Sequence, residues 1–527
     1  MSNNSDTALF ELLKSLTKQE KRHFKLYASR HVIGSDNIYI KVFDAVNKQD
    51  EYDEKLLLNK FKNETFAKHF PVTKHNLYTL ILKSLNAFHS DIHSETNRMI
   101  HSFNILYNKS LYTQCEKILR KVKKTASDYE MFEKQLELEQ LDAKLHIAMY
   151  NTKKFSRFIQ QSSAEKHIAI KKINNLLDYR QNYYEMSLLI GLTDLPRERK
   201  LFLSYEDIIN KPIFKNSMHA NSFLAKYYFY STQYFYYRAK GDLKNNYTFQ
   251  KKLVLLLESN PKMIVADCHK YIAALHHYII TLAQLKKYDE ALINVKRLKE
   301  LLVNYNIPNT EETRIRIFSR AYNAEMGIYL NTGEFKRGLT IAPTVEDWVG
   351  RYASKLTPQQ EIFLHYNLFH TYFGVGKYKP ALLYLNAVLN NKSIKSFPEI
   401  LSSVYVINIV VHFELQNIDL IKYIIKSAYR YLLNHKRLYK METTTLKFFQ
   451  NRIHKLNSRE EQKHAFLELR DELIKIMKDP LEQRLLSFFD FISWLESKIE
   501  NRPFADIVRE KARLKIQDSR KPDLITP

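Results

Sequence analysis

Two stretches of this chain repeat one helical phrase, and this repetition constrains the fold more than any other feature. "LHHYIITLAQLKKYDEALINVKRLKELL" begins at Leu275, and "HYNLFHTYFGVGKYKPALLYLNAVLNN" begins at His365. In both, an aromatic residue follows a short turn and a small residue comes three positions later. Because self-similarity at a fixed period is the signature of a repeat architecture, we expect a chain built from stacked helical units.

The composition agrees with an all-α protein. The 527 residues include only nine Gly and thirteen Pro, which suits long helices joined by short turns. A chain of this length exceeds what one hydrophobic core usually organises, so it should divide into several domains or a repeat array.

The two phrases resemble the tetratricopeptide repeat, a pair of antiparallel helices that stacks into a right-handed superhelix. The resemblance places large side chains on the first helix of each pair and a small side chain on the second, with Gly376 at the turn, where positive φ costs little. The matching residues are Leu275, Tyr278, Leu282, Tyr288, Ala291, Val295 and Leu298 in one copy, and Leu368, Tyr372, Tyr378, Ala381, Leu385 and Val388 in the other.

Weaker copies of the phrase occur elsewhere at a longer period than the family's 34 residues. The residue after the turn recurs about every 40 to 47 positions, with one copy missing near residue 192. Its positions are Tyr112, Phe155, Leu243, Tyr288, Phe335, Tyr378 and Ile418. We therefore expect an α-solenoid of antiparallel helix pairs over residues 101–440.

The two ends of the chain lack the repeat phrase. Residues 1–100 predict a compact N-terminal helical bundle, in which Thr17 and Glu20 form a capping box. Its phrases "SLTKQEKRHFKLY" and "HNLYTLILKSL" resemble the opening of uncharacterised bacterial repeat proteins. Residues 441–515 predict a C-terminal helical cap, since a solenoid must finish with a polar outer face, and residues 516–527 predict a tail.

Several classes of function are disfavoured by the sequence. It contains no apolar run long enough to cross a membrane and no secretory leader pattern, which predicts a cytoplasmic protein. Two cysteines exclude a disulfide framework. No phosphate-binding, zinc-protease or nucleophile-elbow motif occurs, so we expect no enzyme activity, no catalytic residue and no cofactor.

One histidine-rich segment has the spacing of metal ligands. His89 and His93 lie one helical turn apart in "HSDIHSE", with Asp91, Glu95 and His101 nearby. This spacing could hold a divalent cation, but no further ligand is fixed by the sequence, so exposed residues near a helix end are the favoured interpretation.

Positive charge is the remaining signal, and it indicates an acidic partner. The net charge is +25, of which +12 falls in residues 151–300. Lys422, Lys426 and Arg430 form a stripe at four-residue spacing, followed by Arg437. We expect a scaffold protein that binds an acidic protein or peptide through a concave basic surface of the repeats. Nothing in the sequence predicts the oligomeric state.

A nucleic-acid partner is the alternative. Residues 53–85 can be read as a helix-turn-helix, with "VTKHNLYTLILKSL" as the recognition helix of a regulator whose repeats sense or recruit other molecules. Its exposed polar positions would be Lys74, His75, Asn76, Thr79 and Lys83.

The stretch "AKYYFYSTQYFYYRAKG" has the spacing of a repeat helix. Tyr227, Tyr230, Tyr234 and Tyr237 recur at intervals of three and four residues, which predicts one buried face. The remaining edge contains Tyr228, Phe235 and Arg238, which we predict to face a ligand in the most basic part of the chain.

Overall fold

The structure is a computed structural model that describes residues 7–30, 37–89, 91–150, 152–192, 199–452, 458–479, 482 and 488–520. These residues form helices and turns and contain no β-strand, so the predicted all-α class is confirmed for them. The chain divides into two units, Met1–Lys166 and His167–Pro527, and the division falls within one long helix. The first domain boundary predicted from the sequence lies at residue 100.

The helices of the first unit, up to the one that crosses the division, are as follows. They are α1 (Ala8–Ser15), α2 (Lys18–Ser29), α3 (Ile38–Asn47), α4 (Glu54–Lys60), α5 (Phe70–Phe88), α6 (Ile92–Asn108), α7 (Tyr112–Asp128), α8 (Phe132–Met149) and α9 (Thr152–Leu192).

The second unit contains the remaining helices. They are α10 (Arg199–Ile209), α11 (Phe223–Lys240), α12 (Leu243–Glu258), α13 (Pro261–Ala266), α14 (Cys268–Gln284), α15 (Tyr288–Lys299), α16 (Leu301–Asn304), α17 (Glu311–Asn331), α18 (Phe335–Tyr352), α19 (Pro358–Gly374), α20 (Tyr378–Leu389), α21 (Pro398–Glu414), α22 (Ile418–Asn434), α23 (Lys440–Asn451), α24 (Arg459–Ile476), α25 (Phe491–Glu500) and α26 (Phe504–Arg520). Short 3₁₀ turns lie at Thr65–His69, Pro212–Phe214, Ser217–His219 and Ile394–Ser396.

In the first unit, α1 to α5 surround one apolar core that includes Phe24, Phe43, Phe70 and Leu77. The predicted capping box is confirmed, because the Thr17 side chain accepts from the Glu20 amide and the Glu20 carboxylate accepts from the Thr17 amide. The next helices, α6 to α8, pack in sequence around a second core.

Neighbouring helix pairs make up most of the second unit. The pairs are α11/α12, α14/α15, α17/α18, α19/α20 and α21/α22, and the second helix of a pair packs on the first helix of the next. Within each pair the third residue after the start of the second helix is buried. Those residues are Asn246, Ala291, Gly338, Ala381 and Ile421. The structure is therefore that of a helical repeat-like protein.

The turn between paired helices has one conformation throughout. The residue two positions before the second helix has positive φ, whether it is glycine, as at Gly241, Gly333 and Gly376, or not, as at Lys286 and Gln416. The next amide donates to the carbonyl five residues earlier, for example Lys377 N to Tyr372 O at 2.9 Å. This bond is that of a Schellman turn, which satisfies carbonyls that the helix end leaves free.

The predicted start of one repeat is corrected by this turn. In the first unit Tyr150 has positive φ and α9 begins at Thr152, so the position equivalent to Tyr112 is Thr152. The sequence pattern placed it three residues later, at Phe155, because an aromatic residue was expected there. The segment near residue 192, where a copy was missing, contains the end of α9 and the start of α10, and residues 193–198 lie outside the described part.

The C-terminal helices return along the row of helix pairs. In α25, Trp494 is buried and its Nε1 donates to Glu414 of α21 at 2.6 Å. In α26, Arg509 pairs with Glu334, and Lys286 donates to the Lys515 carbonyl. Helix α26 thus crosses the α14/α15 and α17/α18 turns.

Helix α26 extends to Arg520, so the first five residues of the predicted tail are helical, and residues 521–527 lie outside the described part.

Within the described ranges, no helix combines the length and the apolar character that crossing a membrane requires.

The turn at Gly333 gives a stability prediction. A Cβ at this position would lie 2.6 Å from the Arg509 amide nitrogen and 2.8 Å from the Ala505 carbonyl oxygen, whereas at Gly241 it would meet nothing within 4 Å. Both glycines have positive φ, so Gly241→Ala should cost about 1–2 kcal/mol of unfolding free energy. Gly333→Ala should cost at least about 2 kcal/mol more, because the backbone of α26 must also move.

Urea unfolding of the two variants measures this difference, and amide hydrogen exchange locates it. Exchange in α26 should accelerate in Gly333→Ala and stay unchanged in Gly241→Ala. Equal destabilisation by the two substitutions would show that the close approach of α26 does not constrain the turn.

Candidate functional site

The predicted basic stripe lies on an exposed helix face. Lys422, Lys426 and Arg430 are exposed on α22, and none of them pairs with an acidic residue in the described part of the chain. The opposite face is buried through Ile421, Ile425, Ala428 and Leu432. The stripe therefore belongs to the second helix of a pair, whose other side is fixed in the core.

Apolar side chains are exposed beside the stripe. Tyr423 is 71% exposed, and Leu420, Tyr429 and Leu433 are also exposed on α22. Exposed apolar residues rimmed by charge are typical of interaction surfaces, whereas a merely solvated helix face is polar. We refer to Leu420, Lys422, Tyr423, Lys426, Tyr429, Arg430 and Leu433 as the α22 face.

Arg437 differs from the stripe, because it is half-buried and forms an ion pair within the fold. Its guanidinium lies 2.8 Å from a carboxylate oxygen of Glu399, at the start of α21, and both side chains are mostly buried. Its amide also closes the turn after α22 by donating to the Leu432 carbonyl. This arginine holds two neighbouring helices together, which the local run of basic residues did not reveal.

Tyr228, Phe235 and Arg238, which the sequence predicts to face a ligand, lie on α11 near side chains of other helices. Tyr228 and Phe235 of α11 lie against Tyr183 of α9, with ring centroids 5.1 Å and 5.8 Å apart. Phe235 also lies edge-on to His277 of α14, at 6.4 Å. Arg238 is exposed one turn further along α11.

These contacts define an aromatic–arginine cluster contributed by four helices. Its members are Tyr183, Tyr228, Tyr234, Phe235, Arg238, His276, His277 and Arg320.

Burial on α11 differs from the single face that the spacing predicted. Tyr227 and Tyr234 are buried as expected, but Phe229 and Tyr236 are buried too, while Tyr230 and Tyr237 are only half-buried. Phe229 stacks on Phe214 at 5.9 Å. Helix α11 is covered on more than one side, so Tyr228 and Phe235 are half-buried rather than free to face a ligand as separate rings.

The cluster contains histidines that burial keeps neutral. Burial and the positive charges of Arg320 and Arg238 lower the pKa of His276 to about 3. The same burial, with His276, Arg238 and Arg320, holds the pKa of His277 well below its usual range. Local sequence spacing gives no signal for this contact, because Arg320, which lies 3.4 Å from His276, is forty-four positions further along the chain.

One of the five positions predicted to be exposed on the recognition helix of a helix-turn-helix is buried. Lys74 is buried, and its Nζ lies 2.7 Å from a Glu54 carboxylate oxygen and 3.3 Å from the Tyr52 hydroxyl, so its predicted exposure is wrong. The connection from α4 to α5 spans Phe61–His69, longer than the three- or four-residue turn of that motif. His75, Asn76 and Lys83 are exposed, and Thr79 is half-buried.

The histidine-rich segment is occupied by other contacts. His89 Nε2 lies 2.7 Å from a Glu20 carboxylate oxygen, and Asp91 caps α6 by accepting from the amides of His93 and Ser94. Across the described residues, no group of His, Cys, Asp and Glu side chains has a geometry that could hold a metal ion.

No protein-family model, curated protein or solved structure matches this chain. The likeness to tetratricopeptide repeats therefore rests on the sequence phrase and on the helix-pair arrangement described above.

The buried histidines predict a pH dependence of stability. In the unfolded chain a histidine titrates near pH 6.5, and His277 titrates well below that value in the fold. Between these values the unfolded state binds more protons, so the unfolding free energy falls as the pH falls below 6.5. From pH 7 to 5 the loss for this histidine should be at most about 2 kcal/mol.

His277→Phe should flatten that decline, since phenylalanine has no proton to bind. Denaturant unfolding at a series of pH values measures the slope for both proteins. Parallel curves for wild type and variant would contradict a neutral, buried His277.

Proposed function

We propose that this protein is a non-enzymatic interaction protein that binds an acidic, amphipathic segment of a partner protein on the α22 face. The observation that carries the proposal is that Lys422, Lys426 and Arg430 lie one turn apart, exposed and unpaired in the described part. Surface cations elsewhere on the chain commonly have acidic neighbours, as in the pair of Lys25 with Asp44.

The chemistry of the face defines the partner. Three cations in a row favour a segment with carboxylates at matching helical spacing, because complementary charge steers association and fixes register. The exposed side chains of Leu420, Tyr423 and Leu433 add apolar area that a purely electrostatic contact would not need. An amphipathic helix with acidic and leucine-rich faces provides both groups.

A binding role is preferred over catalysis on the evidence of the sequence. It carries none of the motifs that hold a nucleotide phosphate, a catalytic zinc or an activated serine. Helical repeats commonly present extended surfaces to other chains, and the repeat-like row of helix pairs found here is consistent with such use.

Charge reversal tests the proposal with a defined probe. A fluorescent helical peptide rich in glutamate and leucine should bind the wild-type protein, and its affinity should fall as salt is added. The triple variant Lys422→Glu, Lys426→Glu, Arg430→Glu should bind it at least about tenfold more weakly, because three attractive contacts become repulsive. Fluorescence anisotropy gives both dissociation constants.

A matched control separates the face from net charge. Lys117, Lys121 and Lys124 are exposed on α7 in the other unit, and their reversal changes the total charge equally. Binding should then change less than about twofold. Equal weakening in the two triple variants would overturn the α22 face as the docking site. Salt-sensitive binding of duplex DNA or RNA that the α22 reversal abolishes, without peptide binding, would replace the acidic partner by nucleic acid.

A further inference from the structure

Two arginines of the aromatic–arginine cluster lack a carboxylate partner. Neither Arg238 nor Arg320 forms an ion pair with any residue in the described ranges. Arg316, one turn before Arg320 on α17, shows the contrast, because its guanidinium lies 2.7 Å from Glu312. Arg320 is partly buried among rings, where an unpaired cation is costly.

A hydrogen bond from Arg320 fixes the tautomer of His276. Its guanidinium lies 3.4 Å from Nδ1 of His276. A guanidinium can only donate, so Nδ1 must accept and the proton of the neutral ring lies on Nε2. That Nε2 is buried and finds no hydrogen-bond partner among the residues that the structure describes. The cluster therefore contains a buried donor for which the described residues provide no acceptor.

Positive charge predominates at the core of the cluster. Burial lowers the pKa of His276 and of His277, and Arg238 and Arg320 lower both further; the same two arginines also act on Tyr234. The nearby carboxylate of Asp267, which acts on Tyr227, is paired with Lys270. A fold that needed Arg320 only for packing would be more stable with an apolar residue of similar size. Sites with uncompensated charge and unmatched donors are where ligands supply the missing partner.

The geometry points to an oxyanion-binding site in the aromatic–arginine cluster, in which Arg320 and Arg238 bind the carboxylate or phosphate group of a small ligand. Arginine suits both groups, because its planar donors match two oxygens of either anion. His276 is a positioning residue that holds the Arg320 guanidinium through Nδ1. The site is reachable, because Arg238 is exposed and Arg320 and Phe235 are partly exposed. It shares no residue with the α22 face, so it goes beyond the proposed function and stands or fails separately.

Anion-dependent stabilisation tests the site with simple probes. Inorganic phosphate and acetate should each be compared with chloride at equal ionic strength, in thermal unfolding and titration calorimetry of the full chain. At least one of them should raise Tm and give a saturable heat. Preference for phosphate indicates a phosphorylated ligand, and preference for acetate indicates a carboxylate ligand.

Variants connect the effect to the two arginines. Arg320→Gln should abolish the anion-dependent Tm shift without lowering Tm in chloride, because it removes an unpaired charge. Arg238→Gln should weaken binding by about tenfold. Arg316→Gln is the control, and it should leave the anion effect unchanged.

The role of His276 needs a readout beyond stability. His276→Gln retains an acceptor for Arg320 and should keep part of the anion affinity, whereas His276→Leu should lose it. The site is overturned if neither phosphate nor acetate shifts the wild-type Tm. It is equally overturned if Arg316→Gln and Arg320→Gln reduce the shift alike.

Discussion

The turn between paired helices is the constraint on which the second unit depends. One residue in the left-handed region and one amide-to-carbonyl bond reverse the chain between α11 and α12, α14 and α15, α17 and α18, α19 and α20, and α21 and α22. The Schellman bond satisfies helix-end carbonyls while it brings the second helix back along the first. Each pair then buries a small or medium side chain at the same position. Because the turn is the same each time, each pair presents similar faces to the next.

This constraint explains where side chains are free. First helices are buried on most sides, because they contact their own partner and helices on either side of the pair; α21, for example, contacts α22, α20 and α23. Second helices such as α22 bury one stripe and leave the other exposed. The candidate surfaces follow from this difference. The α22 face is exposed because α22 is the second helix of its pair. The aromatic–arginine cluster forms where the first helices α11, α14 and α17 meet α9.

The helices themselves were largely predictable, and so were most turns. The residues predicted to follow the turn at Tyr112, Leu243, Tyr288, Phe335, Tyr378 and Ile418 are the first residues of helices. Glycine marked only some turns, because lysine and glutamine occupy the same conformation at Lys286 and Gln416. Of the predicted contact residues, the stripe of α22 is exposed as expected. Arg437 is not, because Glu399, which pairs with it, lies far along the chain.

The sequence by itself determined the helical class, the repeated pair and the exposure of the α22 stripe, since these follow from local spacing of apolar and polar residues. Only the tertiary structure decided that Lys74 is buried against Glu54, that α26 returns across the turns, and that Arg238 and Arg320 share one cluster. Such contacts join residues separated by tens or hundreds of positions. No local period specifies them, because they depend on how whole helices pack.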